Sequence, residues 1–455
     1  MTGTARSVKA GRAGWRTMND GKGDRSSRPT RTFLFLQGLA SPFFRRLGRT
    51  LKRQGYGVER INLNLGDRLF WNLPGATDYR GSFQNWRRFL SAFIEERGVT
   101  DLVLFGDGRP YHRIAIGVAQ LRGVQAHVFE EGYFRPDWIT VEANGVNGYS
   151  TLPRDPVVVR ELARGLPEPP KPQPIFGDMG ARTVWDVTYN FAHVFFPYLY
   201  PGYRRYRPHH PVVEYASWIR RLARRKTETA AANAVVAALK ADGAPFFLLP
   251  LQLDSDYQIR LHSRFTLMTE VVDLVAESFA AHAPADAKLV VKLHPLDNGL
   301  VNRRKLTQAT ADRLGLGDRL IFIDGGDGRD LIAASSGVVV VNSTIGTEAL
   351  IQGKPLIALG QAIYGMEGLS HQGDLDAFWT ERTRPDMSLV DAFRRVVFAR
   401  TLLNGGFYAE QAIEIGVANA AERLIETAPS RFAPFAAGWR PEGAFGEAGA
   451  ALPGE

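Results

Sequence analysis

The sequence predicts an α/β protein made of two halves, each with a parallel sheet covered by helices. Short apolar segments alternate with segments of helical periodicity from residue 32 to about 165, and this alternation returns after residue 241. Parallel strands need such crossover helices on the faces of the sheet. Five prolines between residues 167 and 174, followed by an aromatic-rich stretch, separate the halves. The 455 residues are enough for two or three domains.

Each element of the first half follows from its local pattern. Residues 32–36 form an apolar run that ends at Gln37-Gly38, and Ser41-Pro42 then begins a helical pattern over 43–54. Further strands are predicted at 58–63, 101–105 and 125–129, and further helices at 86–97 and 113–121.

The linker and the second half are predicted in the same way. The linker ends in two helices, at 213–226 and 228–240. The second half has strands at 245–251, 288–293, 320–323, 338–341 and 355–359, with helices at 267–282 and 345–352. We therefore expect a disordered basic tail at 1–31, a first half at 32–165, a linker at 166–240, a second half at 241–430 and a flexible tail at 431–455.

The net charge of +9 is unevenly distributed. Residues 1–31 carry a net +6 and residues 203–226 a net +7, so the rest of the chain is at −4. A mildly acidic body with two basic segments does not indicate nucleic-acid binding. The absence of cysteine excludes disulfides, Cys-ligated metal and a thiol nucleophile.

The sequence shows no secretory leader and no membrane-spanning segment. The basic start is not followed by an apolar stretch, and the longest apolar runs are far shorter than the ~20 residues that cross a bilayer. We expect a cytoplasmic protein that contacts the membrane surface.

Polar residues follow the predicted strands of the second half. Ligands bind beyond the carboxyl ends of parallel strands, so these residues should meet at one rim. They are Gln252, Asp254 and Asp256 after the first strand, Lys292 and His294 with Pro295 after the second, and Asn342, Ser343 and Thr344 after the fourth. This convergence is the main functional signal in the sequence.

The strand–loop–helix at 338–352 suits a phosphate. Its helix N-terminus would offer backbone N–H groups, Ser343 and Thr344 would add hydroxyls, Gly346 lies at the turn, and Glu348 could reach a ribose. Simple helix capping by Ser or Thr is the alternative. Lys292 and His294 lie two residues apart and so face the same side, where either could neutralise a phosphate or help a leaving group depart, which makes His294 a candidate catalytic residue. A loop histidine held only by hydrogen bonds is the alternative for His294.

Two Asp-X-Asp sequences, at Asp254–Asp256 and Asp374–Asp376, resemble a pattern that holds divalent metal in some sugar transferases. A surface turn explains each equally well. We expect no metal and prefer a carboxylate that takes part in the chemistry.

The first half offers two clusters at strand ends. Glu130 and Glu131 are adjacent carboxylates that can raise one another's pKa, so that one can serve as an acid or base. Asp107, Arg109 and His112 form the second cluster. A solvated loop is the alternative for both clusters.

The segment from Phe195 to Arg207 mixes aromatic rings with arginines. This composition suits the surface of an anionic membrane. An interdomain bridge with solvated arginines is an equally good interpretation, and single-stranded nucleic acid is the least favoured.

Seven short motifs, in order over residues 32–380, resemble the capsule polysaccharide biosynthesis/export family, and most closely its single-module S-type members. They are Phe35-Leu36-Gln37-Gly38 with Ser41-Pro42-Phe43-Phe44, Gly106-Asp107-Gly108-Arg109-Pro110, Glu130-Glu131-Gly132-Tyr133, Leu251-Gln252-Leu253-Asp254-Ser255-Asp256, Lys292-Leu293-His294-Pro295, Asn342-Ser343-Thr344-Ile345-Gly346 and His371-Gln372-Gly373-Asp374-Leu375-Asp376.

The resemblance implies a GT-B fold, with two Rossmann-like domains facing across a cleft and a helical linker. It further implies a retaining β-Kdo transferase that moves Kdo from CMP-Kdo to a (lyso)phosphatidylglycerol acceptor at the inner face of the membrane, alongside other capsule proteins. His294-Pro295 and Ser343-Thr344 would then bind CMP, with Gln252, Lys292, Asn342, Gly346 and Glu348 nearby, while Gly38, Asp107, Arg109 and His112 would bind the acceptor.

For the chemistry, the resemblance implies Glu131 as acid/base, with Glu130 as the alternative, and Asp256 rather than Asp254 as nucleophile. The rival interpretations are a non-catalytic export or scaffold protein and a transferase that uses CMP-sialic acid or a UDP-sugar.

Overall fold

The computed structural model describes residues 31–427, except for residue 176 and residues 206–209. The predicted tail at 431–455 and all of the N-terminal tail except Arg31 lie outside the described residues. Arg31 itself belongs to the folded body, because its guanidinium pairs with the buried Asp101 and donates to the carbonyls of Leu424 and Ile425. The expected boundary at residue 31 is therefore wrong by one residue.

The described strands are short, and β4, β7 and β10 are buried along their whole length. They are β1 (Thr32–Phe35), β2 (Gly57–Asn62), β3 (Ala76–Asp78), β4 (Asp101–Phe105), β5 (Gln125–Glu131), β6 (Trp138–Ala143), β7 (Phe246–Pro250), β8 (Lys288–Lys292), β9 (Leu320–Ile323), β10 (Gly337–Val340), β11 (Leu356–Ala358) and β12 (Leu402–Asn404).

Helices connect these strands and cover both faces of the sheets. They are α1 (Phe43–Arg53), α2 (Leu65–Trp71), α3 (Trp86–Glu96), α4 (Pro110–Leu121), α5 (Pro156–Ala163), α6 (Met179–Phe195), α7 (Pro211–Asp242), α8 (Tyr257–His262), α9 (Met268–His282), α10 (Arg303–Leu314), α11 (Gly328–Ala334), α12 (Ile345–Ile351), α13 (Leu375–Glu381), α14 (Met387–Thr401) and α15 (Glu410–Glu426).

The first sheet has the order β12-β6-β5-β4-β1-β2-β3. Strands β1 to β5 are parallel, whereas β6 runs antiparallel to both β5 and β12. The second sheet has the order β11-β10-β7-β8-β9 and is parallel throughout. Each half therefore contains five parallel strands in the order 3-2-1-4-5 of a Rossmann half. This is the predicted GT-B class.

The end of the described chain returns to the first half. Strand β12 pairs with β6, and Ile413, Val417 and Leu424 of α15 join the core around Phe33, Phe35 and Phe43. The expected second half at 241–430 is therefore wrong for residues 402–426. The physical reason is that the apolar side of α15 is buried against β1 and α1.

The linker also differs from the prediction. A single helix, α7, runs through the expected break between residues 226 and 228. No glycine or proline stands there, so nothing in the backbone ends the helix. Among the described residues, no helix is both long and apolar enough to cross a membrane.

Candidate functional site

The strand order locates the two candidate rims. In each sheet the first three strands are added toward one edge, and the next strand is then added on the other side of the first. This switch lies between β1 and β4 in the first sheet and between β7 and β10 in the second. Such switch points open a crevice beyond the carboxyl ends of the strands. The residues that follow these ends are Gln37-Gly38, Gly106–Arg109, Leu251–Asp256 and Val341–Thr344. Three of these segments contain residues that the sequence singled out as polar clusters.

Helix α8 brings the two rims together. A Cβ atom placed on Gly108 would lie 2.5 Å from Cβ of Tyr257 and 3.0 Å from a methyl of Leu261. The loop after β4 can therefore approach α8 this closely only with glycine at position 108. On the same helix, His262 packs edge-on against Tyr149, with ring centroids 4.5 Å apart. These contacts hold Asp256, the N-cap residue of α8, close to the first half.

Glu130 and Asp256, from opposite halves, interact across the cleft. Burial raises the pKa of Glu130 to about 8, with smaller upward contributions from the nearby carboxylates of Asp256, Glu131 and Asp107. Burial also raises the pKa of Asp256. Its carboxylate accepts a 2.9 Å hydrogen bond from the N–H of Gln258 at the start of α8. Burial therefore favours the protonated form of Glu130 at neutral pH, whereas the hydrogen bonds from Gln258 and Gln252 favour the charged form of Asp256.

Glu131 adjoins Glu130 on β5, and successive strand residues point to opposite faces. Its backbone N–H donates to a carboxylate oxygen of Glu130 at 3.0 Å. The two glutamates therefore have different surroundings, and Glu130 is the one that interacts with Asp256.

Asp254 is held by structural contacts. One carboxylate oxygen caps α9 by accepting the N–H of Met268 at 2.8 Å, and the other pairs with the buried Arg303. The second Asp-X-Asp sequence is also engaged, because Asp376 pairs with His282 at 3.2 Å. In the described part of the chain, no three His, Asp or Glu side chains are grouped so as to hold a metal ion.

Gln252 and Asn342 join the ends of β7 and β10. The Gln252 amide donates to Oδ1 of Asn342 at 3.0 Å and accepts the backbone N–H of Asn342 at 3.2 Å. Gln252 also hydrogen-bonds the Asp256 carboxylate, which favours the charged form of Asp256. The pair therefore orients the candidate nucleophile.

His294 is a neutral hydrogen-bond donor in this structure. Burial, together with Arg135, Lys292, Arg221 and Arg182, lowers its pKa to about 4. Its Nδ1 accepts the backbone N–H of Leu296 at 3.0 Å, which leaves the proton on Nε2. A neutral imidazole does not neutralise a phosphate by charge, as the sequence suggested, but it can donate Nε2–H to one.

Positive charge at this rim comes from several elements. Lys292, at the end of β8, is buried, and its pKa is lowered by burial. The positive charge of Arg135, three residues after Gly132, favours the ionised form of Asp256 and the neutral form of His294. Arg182 of α6 acts on His294. Arg135 and Arg182 were not predicted as site residues, because neither lies in a motif.

Arg221 of α7 holds the loop that carries His294. Its guanidinium donates to the carbonyls of Pro295, Asp297 and His294 and pairs with Asp324 at 2.8 Å. Arg221 belongs to the basic segment at 203–226, outside the stretch Phe195–Arg207 for which membrane contact was one interpretation. In the structure it positions the site.

The loop between β10 and α12 holds the remaining predicted donor-binding residues. Ser343 Oγ accepts the N–H of Ile345 at 3.2 Å, and Thr344 is the N-cap residue of α12 without a side-chain cap bond. Gly346 packs against the ring of Tyr364. Glu348 accepts from Gln352 at 2.9 Å and lies 3.5 Å from Arg329.

The predicted acceptor residues surround the end of β1. Arg109 donates to the carbonyl of Gly38 at 2.9 Å. Asp107 accepts the N–H of Val146 at 2.9 Å through one oxygen, and its other oxygen is buried without a partner among the described residues. Burial raises the pKa of Asp107 to about 6.

His112 is buried beside the loop that follows β4. Its side chain is fully buried, at 0 % exposure, and its Nδ1 lies 2.8 Å from the carbonyl oxygen of Gly106. Burial lowers the pKa of His112 to about 3. His112 therefore supports the loop after β4 through Gly106, and its contact with substrate stays a prediction.

The family described as "Capsule polysaccharide biosynthesis protein" matches residues 100–408, more than half of the chain. The chain belongs to this family. The resemblance inferred from the seven motifs is thereby confirmed. The matched range contains Glu130, Asp256 and His294, whereas Gly38 precedes it.

Members of the capsule family are similar along most of the chain. The capsule polysaccharide export protein KpsS of Escherichia coli is 32% identical over 384 residues, which cover 83% of this chain and 96% of KpsS. The capsule polysaccharide modification protein LipB of Neisseria meningitidis serogroup B is 32% identical over 383 residues, which cover 83% of this chain and 91% of LipB.

Among solved structures, the β-Kdo 2,7-transferase KpsC of Thermosulfurimonas dismutans aligns with a TM-score of 0.41 and 15% identity, covering 87% of this chain and 98% of that one.

Proposed function

We propose that this chain is a retaining glycosyltransferase that moves Kdo from CMP-Kdo to a phosphatidylglycerol-type lipid. The observation that carries the proposal is the pair of carboxylates from opposite halves, Asp256 and Glu130, with the pKa of Glu130 raised to about 8. Retention by double displacement needs one carboxylate that attacks and a second that handles the proton. The donor and acceptor follow from the motif resemblance and from membership of the capsule family.

In the first step, the Asp256 carboxylate attacks the anomeric carbon of Kdo. The bond from that carbon to the CMP phosphate oxygen breaks, CMP leaves with the electron pair, and Kdo is esterified to Asp256. Phosphate is a good leaving group when positive groups and donors hold it. The Nε2–H of His294 and the charges of Lys292, Arg135 and Arg182 are available for the phosphate and for the carboxylate of Kdo.

In the second step, Glu130 acts as a base. Esterification removes the negative charge of Asp256, one of the smaller causes of the raised pKa of Glu130, so this pKa falls and the carboxyl group releases its proton to water. It then accepts the proton of the acceptor hydroxyl while that oxygen attacks the anomeric carbon. The ester bond breaks, and the Asp256 carboxylate is regenerated. Neither step uses a metal ion.

The contacts support two choices within the motifs. Asp256 is preferred over Asp254 because both oxygens of Asp254 are engaged by Met268 and Arg303. Glu130 is preferred over Glu131 because Glu130 interacts with Asp256. The choice of Glu130 revises the expectation from the motif.

The acceptor is proposed to enter from the first half. The loops that contain Gly38, Asp107 and Arg109 border Glu130, and the unpartnered oxygen of Asp107 could accept a hydrogen bond from a glycerol hydroxyl. A lipid acceptor places the enzyme on the inner face of the cytoplasmic membrane, near other capsule proteins.

The test is incubation with CMP-Kdo and lysophosphatidylglycerol, followed by measurement of CMP and by mass spectrometry of the lipid. We expect CMP release and a lipid that has gained one Kdo. The names of two relatives, an export protein and a modification protein, favour a second candidate, a non-catalytic role. That role predicts no CMP release. Release from CMP-sialic acid or a UDP-sugar instead would reassign the donor.

A further inference from the structure

Helix α6 presents an apolar stripe to solvent. Val184, Val187, Phe191 and Phe195 follow one another at helical spacing and are 61%, 40%, 53% and 56% exposed. The rings of Phe191 and Phe195 lie 4.2 Å apart. The other side of α6 supplies the packing, since Tyr189 contacts Phe70 and donates to Asp67. The stripe is therefore not needed to attach α6 to the fold.

Helix α7 and the turn after α6 also expose apolar side chains. Those on α7 are Val212, Val213, Ile219 and Leu222, which are between 51% and 70% exposed. Tyr198, in the turn, is 68% exposed. The two helices meet where Tyr215 Oη lies 3.3 Å from the backbone and side-chain oxygens of Asp186. We name the eight aliphatic and phenylalanine side chains on α6 and α7 the α6–α7 apolar face.

Basic side chains follow this face along α7. Arg224, Arg225 and Lys226 are exposed, and they form no ion pair with any other residue that the structure describes. Soluble proteins rarely expose apolar patches of this extent without a partner. Apolar side chains that include aromatic rings, beside unneutralised cations, complement a bilayer with anionic headgroups.

The same two helices border the candidate active site. Arg182 of α6 acts electrostatically on His294, and Arg221 of α7 holds the loop that carries it. A membrane that contacts the outer sides of these helices would therefore lie beside the cleft, where a lipid acceptor has to enter.

We propose that the α6–α7 apolar face docks the protein on an anionic bilayer, with Arg224, Arg225 and Lys226 on the headgroups. The link to a lipid acceptor rests on the proposed function, whereas the docking itself does not. The segment that the sequence suggested for membrane contact, Phe195–Arg207, overlaps this face only at its first residue.

The test is co-sedimentation of the full chain with vesicles, without any donor sugar. Vesicles of phosphatidylglycerol and phosphatidylethanolamine are compared with vesicles of phosphatidylcholine. We expect the wild type to bind the anionic vesicles at least tenfold more tightly. The triple variant Val187→Ser/Phe191→Ser/Phe195→Ser should lose at least tenfold in affinity, and Arg224→Glu/Arg225→Glu should lose the salt-sensitive part of the binding.

Matched controls alter similar residues elsewhere. Leu121→Ser and Val157→Ser replace apolar side chains that are 68% and 74% exposed, and Lys52→Glu/Arg53→Glu reverses two exposed charges on α1. These variants should bind as the wild type does. Failure of the wild type to bind anionic vesicles, or wild-type binding by both α6–α7 variants, would overturn the proposal.

Transfer assays separate this proposal from the proposed function. A short-chain, water-soluble lysophosphatidylglycerol should be modified equally by the wild type and by the α6–α7 variants, while transfer to vesicle-borne acceptor falls in the variants. If the wild type transfers no Kdo to either acceptor, the proposed function fails, and docking is still decided by sedimentation.

Discussion

Replacing Glu130 with Gln should change how the stability of the protein depends on pH. Glutamate has an ordinary pKa of 4.5, and in the folded protein burial and neighbouring carboxylates raise the pKa of Glu130 to about 8. The native state therefore holds this proton more tightly than the unfolded state does. The stabilisation is fully present below pH 4.5 and is lost as the pH rises toward 8.

One unit of pKa difference corresponds to about 1.36 kcal/mol, so the wild type should lose up to about 3.5 kcal/mol through Glu130 between pH 5 and pH 8. The side chain is partly exposed, and solvent screening reduces the expected loss to roughly 2–3 kcal/mol. Glu130→Gln cannot ionise. Relative to the wild type, it should therefore gain this amount of stability on going from pH 5 to pH 8.

The assay is urea unfolding at both pH values, followed by tryptophan fluorescence. Glu131→Gln is the matched control on the next residue and should keep the wild-type pH dependence. Another buried acid, Glu142, titrates in all three proteins and cancels in the comparison. The reasoning is refuted if Glu130→Gln and the wild type lose equal stability, or if Glu131→Gln is the variant that gains it.

Three further predictions concern the geometry of the cleft. Asp256→Asn keeps a side chain that can cap α8, so the variant should fold normally. Its transfer rate should fall at least a thousandfold. Near-normal turnover would remove Asp256 from the mechanism. Gly108→Val, whose Cβ would lie 2.5 Å from Cβ of Tyr257, should lower the free energy of unfolding by about 1–3 kcal/mol in a thermal or urea assay. It should also reduce transfer. Unchanged activity would show that α8 need not pack so closely. Arg221→Met should raise the KM for CMP-Kdo more than it lowers kcat, because it frees the loop of His294, and a pure loss of kcat would contradict this positioning role.

Much of the fold could be predicted from the sequence because the buried parallel strands are continuous apolar runs. The runs that became β4, β7 and β10 are bounded by glycine or polar residues, which makes them clear in the sequence. Strand β3 has only three residues, all partly exposed, so it shows no comparable pattern. Pairing of β12 with β6 depends on contacts between residues about 260 positions apart, which local periodicity does not encode.

The site could be predicted in outline for the same reason. Strand-end residues such as Asp256 and His294 are identified by position, since parallel strands end at one rim. Which of two neighbouring carboxylates interacts across the cleft depends on the packing of the opposite half, so Glu130 and Glu131 remained alternatives. Arg135 acts on Asp256 and His294 only through the approach of the two halves, and no local signal marks it.

The central claim is that Asp256 forms a covalent bond to the sugar and that Glu130 is needed to resolve it. The most direct measurement is peptide mass spectrometry of Glu130→Gln after incubation with CMP-Kdo alone. The leaving phosphate needs no proton, whereas the second step lacks its base, so the peptide that contains Asp256 should carry one Kdo. Kdo on another residue, or product formation without any adduct in either protein, would contradict the account.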